Sequence, residues 1–188
     1  MAATANQFPK LLSPFSIKHM TIRNRICSTG HFARWMNTDG LPNAACVAYY
    51  EERAKGGIGL LTVGATVVVA GDHPAYFQNT DDRIIGAYQA LADASHRHGA
   101  QIIAQFCPRG PDIRYKEVGE PFPALPRAAS LPPVSDPGVS AEWHVSSYSA
   151  DELREQIEGA GVAAARARAG GMDGVELHAH EHHLHAQF

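Results

Sequence analysis

Six of the eight residues from 178 to 185 carry groups that bind protons or metals: His178, His180, Glu181, His182, His183 and His185. Imidazoles titrate near neutrality and can shuttle protons. Together with a carboxylate they also make good ligands for zinc or iron. Three other short segments differ in kind: Ser28-Thr29-Gly30-His31, Gly64-Ala65-Thr66 and Gln105-Phe106-Cys107. They are small, polar and without formal charge, apart from the His31 imidazole. Such a set suits a flat, uncharged heterocycle with hydrogen-bonding edges better than a phosphoryl group.

These segments are placed by an alternation of strand-like and helix-like stretches. Phe15 to Lys18 and Thr21 to Asn24 alternate polar and apolar residues, which predicts a short hairpin over about 14–24. Arg25 to Gly30 is a candidate first buried strand. A helix over Pro42 to Lys55 follows, stopped by Gly56-Gly57. Ile58 to Val69 is β-branched and almost uncharged, as a strand buried on both faces should be. Asp81-Asp82 precede a helix over Arg83 to His98, with Gly99 as its stop and Ala100 to Phe106 as a third strand. From about 107 to 148 the periodicity dissolves into a proline-rich excursion. Ser149 to Glu152 then forms a capping box for an Ala- and Arg-rich helix to Ala169, and Gly174 to His178 reads as a fourth strand.

Strand and helix in this rhythm predict an α/β fold with parallel strands, on which chemistry gathers at the C-terminal strand ends. The four polar segments lie at those ends. Neither GxGxxG nor GxxxxGK[ST] occurs, so the dinucleotide and phosphate-loop versions of the fold are disfavoured. Four strands cannot close a barrel. The sequence stops at Gln187-Phe188, soon after the fourth strand, so a fragment or a half barrel completed by another chain is expected.

Composition excludes other classes. Of 188 residues, 45% are hydrophobic and 19% charged, with a formal net charge of −3, which offers nothing to nucleic acid or an anionic membrane. Three separated cysteines, Cys27, Cys46 and Cys107, form no CxxC pair, and reduced thiols in the cytoplasm are the simplest reading. No apolar run approaches the length of a membrane span or a signal peptide core.

Four blocks carry a resemblance across essentially the whole chain: SPFSIKHMTIRNRI, YYEERAKGGIGLLTVGA, DDRIIGAYQALADASHRHGAQIIAQF and AGGMDGVELHAHEHHLHAQF. In this order they resemble the Old Yellow Enzyme-like NADH:flavin oxidoreductase family, in particular its dienoyl-CoA reductases and amine dehydrogenases or demethylases. The resemblance implies residues 1–188 as a single partial FMN-binding domain, the N-terminal half of a (β/α)8 TIM barrel preceded by a hairpin. It implies FMN as cofactor, NAD(P)H or an amine as electron donor, and an unsaturated carbonyl or thioester, or another small molecule, as acceptor.

Position by position, Ser28, Thr29 and Gly30 match the segment whose backbone lies along the flavin ring. Gly64 and Ala65 match the small-residue site on which that ring packs, and Gln105 the glutamine at its pyrimidine edge. His178 matches the position that binds a substrate oxygen, Glu181 one usually held by His or Asn, and His183 that of a tyrosine proton donor. The family's QLxHxGR reads here as Gln105 to Pro111, without its histidine and final arginine.

Plainer readings stand beside these. Gln105 could be a strand-end residue capped by backbone, and the small residues could be places where helices pack. His182 and His185 suit a surface turn, His180 is left open, and His31 could face the site or solvent. His96 and His98 suit a helix C-terminus. The histidine cluster admits a metal-dependent barrel hydrolase as an alternative, although the first three strand ends supply no further ligands. A non-catalytic half barrel, paired with a partner or a second copy, is the other.

Overall fold

The structure, a computed structural model, describes residues 7–32, 35–70, 72, 76–108, 127–129, 146–180 and 183–188. Strands β1 (Phe15–Ile17) and β2 (Met20–Ile22) pair antiparallel, with Phe15 opposite Ile22 and Lys18 at positive φ in the turn. Met20 and Ile22 are buried, whereas Phe15 and Ile17 are exposed.

The main sheet is built from β3 (Cys27–Phe32), β4 (Leu60–Val67), β6 (Gln101–Phe106) and β9 (Gly174–Leu177), in the order β3-β4-β6-β9 and parallel throughout. Helices α1 (Ala44–Lys55), α2 (Ile84–His96) and α3 (Ala150–Ala169) are the crossovers. A two-residue strand, β5 (Phe77–Gln78), pairs with the end of β4. It is too short to leave a period in the sequence. Within 107–148, the described residues include β7 (Arg127–Ala128) and β8 (Ser146–Ser147), which pair with each other. The rest of that excursion, 109–126 and 130–145, lies outside the described residues.

Strand β4 is buried from Leu61 onward, because β-branched side chains fill both faces of a central parallel strand. The core lies between sheet and helices: Leu61, Val63, Ile102 and Phe106 from the strands meet Tyr50, Tyr88, Leu91, Ala163 and Ala167 from the helices. Each of the larger side chains contributes about 1.5–3 kcal/mol by leaving water. Alanine on α3 lets that helix approach closely; at Gly170 an added Cβ would meet Tyr88 Cβ at 2.5 Å.

The helix ends show how local chemistry set the boundaries. Asn43 caps α1 by accepting from the Cys46 N–H at 3.1 Å, so Pro42 lies outside the helix rather than in its first turn. Ser149 and Glu152 form both bonds of the capping box on α3. Helix α2 has no side-chain cap, and the two aspartates before it are engaged elsewhere. Asp81 pairs with Arg83 at 2.7 Å, which holds its carboxyl down near 2, and Asp82 accepts from Arg166 of α3 at 2.8 Å.

The end of the sheet where the strands begin is tied by one guanidinium. Arg23 donates to the carbonyls of His98 (2.6 Å), Ala54 (2.8 Å) and Ile58 (2.8 Å), capping the C-termini of α1 and α2 together. Beside it, buried Asn24 donates to Gly57 O at 2.7 Å and accepts from the Ile26 N–H. Asp173 accepts from the Ile102 N–H at 2.8 Å and pairs with His96 at 2.7 Å. His98 and Arg97 both meet Glu51. The histidines at the end of α2 therefore join elements rather than only answering a helix dipole. Among the described residues, no helix is long and apolar enough to cross a membrane.

Candidate active site

At the opposite end of the sheet, two irregularities in pairing mark where the polar segments sit. Between Ser28↔Leu61 and His31↔Val63, β3 carries one residue more than β4. Between Val63↔Ala104 and Thr66↔Phe106, β4 carries one more than β6. The extra residues fall at Thr29-Gly30 and Gly64-Ala65. A bulge re-aims backbone and side chains locally, and bulges concentrate next to functional sites.

Gln105 lies over both. A Cβ added at Gly30 would stand 2.5 Å from Gln105 Oε1, and one added at Gly64 would stand 2.6 Å from the same atom. The two glycines leave room for an amide, not for a packed helix. Gln105 Nε2 donates to Glu176 Oε1 at 2.7 Å across the directly paired strand β9. Cys107 Sγ approaches Gln105 Oε1 at 3.5 Å. Thr62 Oγ1 lies 3.5 Å from the other Glu176 oxygen. A primary amide carries two N–H donors, so the Glu176 bond accounts for one of them.

Ser28 is half-buried and Thr29 exposed, with the Ser28 hydroxyl near the Thr29 carbonyl at 3.4 Å. Ala65 is buried in a small cluster with Val67, Tyr76 and Cys107. Burial pushes the Cys107 thiol up to about 12, so it is a packed neutral group. His31 does not join the site. Its imidazole meets the Tyr49 hydroxyl on α1 at 2.8 Å, on the helix side of the sheet.

His178 follows β9 and is held by its N–H to Phe106 O at 2.9 Å. Its ring is half-buried, 4.2 Å centre to centre from that of His183 in an edge contact, and stacked at 5.8 Å on His180. Desolvation and then the neighbouring imidazoles of His183 and His180 lower its pKa, with Glu176 opposing. Glu181 and His182 lie outside the described residues. His185 turns back, its Nδ1 3.3 Å from His178 O.

Residues 10–188 match the NADH:flavin oxidoreductase / NADH oxidase family. The chain belongs to it. This is a family of FMN-dependent oxidoreductases of the Old Yellow Enzyme type, NADH oxidases among them, so a metal-dependent hydrolase is not the family's chemistry. The chain is 36% identical over 188 residues to the N,N-dimethylglycine/sarcosine dehydrogenase of Chromohalobacter salexigens, covering 96% of this chain and 26% of that protein. It is 33% identical to the multifunctional alkene reductase/demethylase OYE of Caballeronia cordobensis, covering 95% and 26%. The old yellow enzyme of Trypanosoma cruzi superposes with a TM-score of 0.76 at 27% identity, over 95% of this chain and 53% of that one. Likenesses of this kind make the fold that of a TIM barrel, of which the chain carries a part. It spans about a quarter of the curated relatives named here.

The residues present fit the family's cofactor. Gly30 and Gly64 carry no side chains of their own and leave the space above the bulges to the Gln105 amide, whose polar edge suits the hydrogen-bonding rim of a flavin. Sequence reasoning missed Glu176. Its signal was a lone carboxylate between Val175 and Leu177 in an otherwise apolar strand.

Proposed function

We propose that residues 1–188 are the flavin-binding first half of a (β/α)8-barrel oxidoreductase, passing hydride between NAD(P)H or an amine and an unsaturated carbonyl, thioester or other small acceptor. The observation that carries this reading is the convergence of two strand bulges and two glycines on the amide of Gln105. FMN, when bound, supplies the hydride chemistry. The chain's own residues hold and orient. In this reading the backbone of Ser28, Thr29 and Gly30 lies along one part of the ring, Gly64 and Ala65 admit it closely, and the second Gln105 N–H donates to its edge. Glu176 keeps the amide from rotating.

His178 orients a substrate oxygen and His183 delivers a proton, with Glu181 shaping the choice between a cationic amine and an enone. All three are proposals from the family pattern. The edge contact of the His178 and His183 rings supports only their proximity. Three free cysteines accord with a reducing, cytoplasmic setting.

The test is an absorbance spectrum of the purified chain titrated with FMN and passed through gel filtration. Flavin that travels with the protein, and that Gln105→Leu releases while leaving the circular dichroism unchanged, is the expected result. Retention of flavin by Gln105→Leu with unaltered affinity would remove Gln105 from the site. If the chain ignores FMN, its part in flavin binding requires the remaining length seen in the relatives.

A further inference from the structure

The sequence argues against a metal at the histidine cluster because the other strand ends bring no ligands. The structure removes that objection, since three ligands come from one segment. One ring nitrogen each of His178, His180 and His183 lie within 4.8 Å of one another. We propose that these three imidazoles form a binding site for a borderline divalent cation, zinc above all, with the fourth position left to solvent.

Three features favour this over an accident of composition. First, the backbone that carries the rings is anchored. His178 is fixed to β6 by its N–H bond to Phe106 O, and the His183 N–H closes on His180 O at 2.9 Å, which draws residues 180 and 183 together. Second, the His183 ring makes its own supporting bond. Its Nδ1 lies 3.0 Å from His180 O, and in the tautomer that donates there Nε2 would be the ligand nitrogen. A metal-binding histidine is usually oriented in this way, its other nitrogen donating to a carbonyl.

Third, the spacing suits the cation. In a tetrahedral zinc site with bonds of about 2.0–2.1 Å, ligand nitrogens stand about 3.3 Å apart, within reach of modest side-chain rotation from the present positions. His178 and His183 are half-buried and His180 is exposed, so an ion can enter and one coordination position stays open. Imidazole selects zinc, cobalt or nickel, whereas magnesium and calcium need oxygen ligands. The site is argued from these side chains alone; an ion there would take the nitrogens that His178 and His183 otherwise offer a substrate, so metal binding and those proposed roles exclude one another.

The experiment is a titration of the untagged, metal-free chain with cobalt chloride, followed by displacement with zinc chloride and, separately, by magnesium. Expected are one cobalt per chain, the intense visible bands of low-coordinate cobalt, loss of those bands to zinc and no effect of magnesium. His180→Ala and His183→Ala, checked for folding by circular dichroism, weaken binding at least about 100-fold, the upper end of what losing a mere supporting partner costs. His185→Ala, in the same histidine-rich stretch but outside the trio, keeps its affinity. Failure to bind cobalt overturns the site. So does equal weakening by His180→Ala and His185→Ala, which would make the segment a diffuse chelator, or full affinity in His180→Ala.

Discussion

At the end of the sheet where the strands begin, Arg23 donates to three carbonyls and Asn24 to a fourth, all backbone groups that cannot move without the helices. At the other end, Gln105 lies over two glycines and meets Glu176, Cys107 and open backbone through a side chain with three rotatable bonds. The first end contributes stability through groups that are satisfied by structure. The second keeps its polar groups on flexible stems, arranged for a guest. A site residue and a structural residue can look equally polar in sequence; what separates them is whether the partner is fixed backbone or a movable side chain.

That contrast can be broken by substitution. Arg23→Ala should cost most, about 3 kcal/mol, because hydrogen bonds from a charged donor are worth about 1.5–3 kcal/mol and several carbonyls at two helix ends lose theirs. Urea unfolding measures it. Arg23→Lys should recover little, since a point ammonium cannot span the fork. A loss under about 0.5 kcal/mol, the range of ordinary surface changes, would mean water replaces the guanidinium and the clamp is idle.

The glycines give the sharpest pair. At Gly59 an added Cβ would stand 2.6 Å from the Asn24 backbone oxygen, which has nowhere to go. Gly59→Ala should therefore destabilise by about 1–3 kcal/mol, as overpacking does. At Gly30 the nearest atoms to the same methyl are the far end of Gln105, a side chain that can shift. Gly30→Ala should leave stability within about 0.5 kcal/mol and lower flavin affinity about tenfold, the equivalent of roughly one hydrogen bond. Equal destabilisation by both would erase the distinction between the two ends.

The smallest effect is a protection pattern. Cys27 is exposed, whereas burial pushes the thiols of Cys46 and Cys107 up to about 12. A disulfide reagent at pH 8 should label one thiol per native chain and three after denaturation. Rapid labelling of Cys107 in the native protein would show that the Gln105 end opens locally.

The main elements were legible from local signals: the β-branched, uncharged run of β4, the glycine stops after the helices, the capping box at Ser149. Boundaries shifted where a side chain intervened, as Asn43 did for Pro42. Arg23 could not be read, since its partner His98 lies 75 residues away and is a carbonyl, which has no letter. Of the candidate site, Gly30, Gly64 and Gln105 were named from the family pattern, but not that the glycines make room for the glutamine itself. Periodicity says nothing about a bulge, and both bulges lie there.

The parallel pairing also sets an order of assembly. Gln105 and Glu176 are separated by 71 residues, roughly twice the span that joins β3 to β4 or β4 to β6. Closing the longer loop is the slower event, so β9 should dock onto a scaffold already formed by β3, β4 and β6. In kinetic terms, Met172→Ala, in the buried turn before β9, should quicken unfolding and leave the folding limb of a chevron unchanged, while Leu61→Ala in β4 should slow folding itself. The glutamate that steadies Gln105 and the histidines that follow it are then the last parts of the site to arrive and the first to leave.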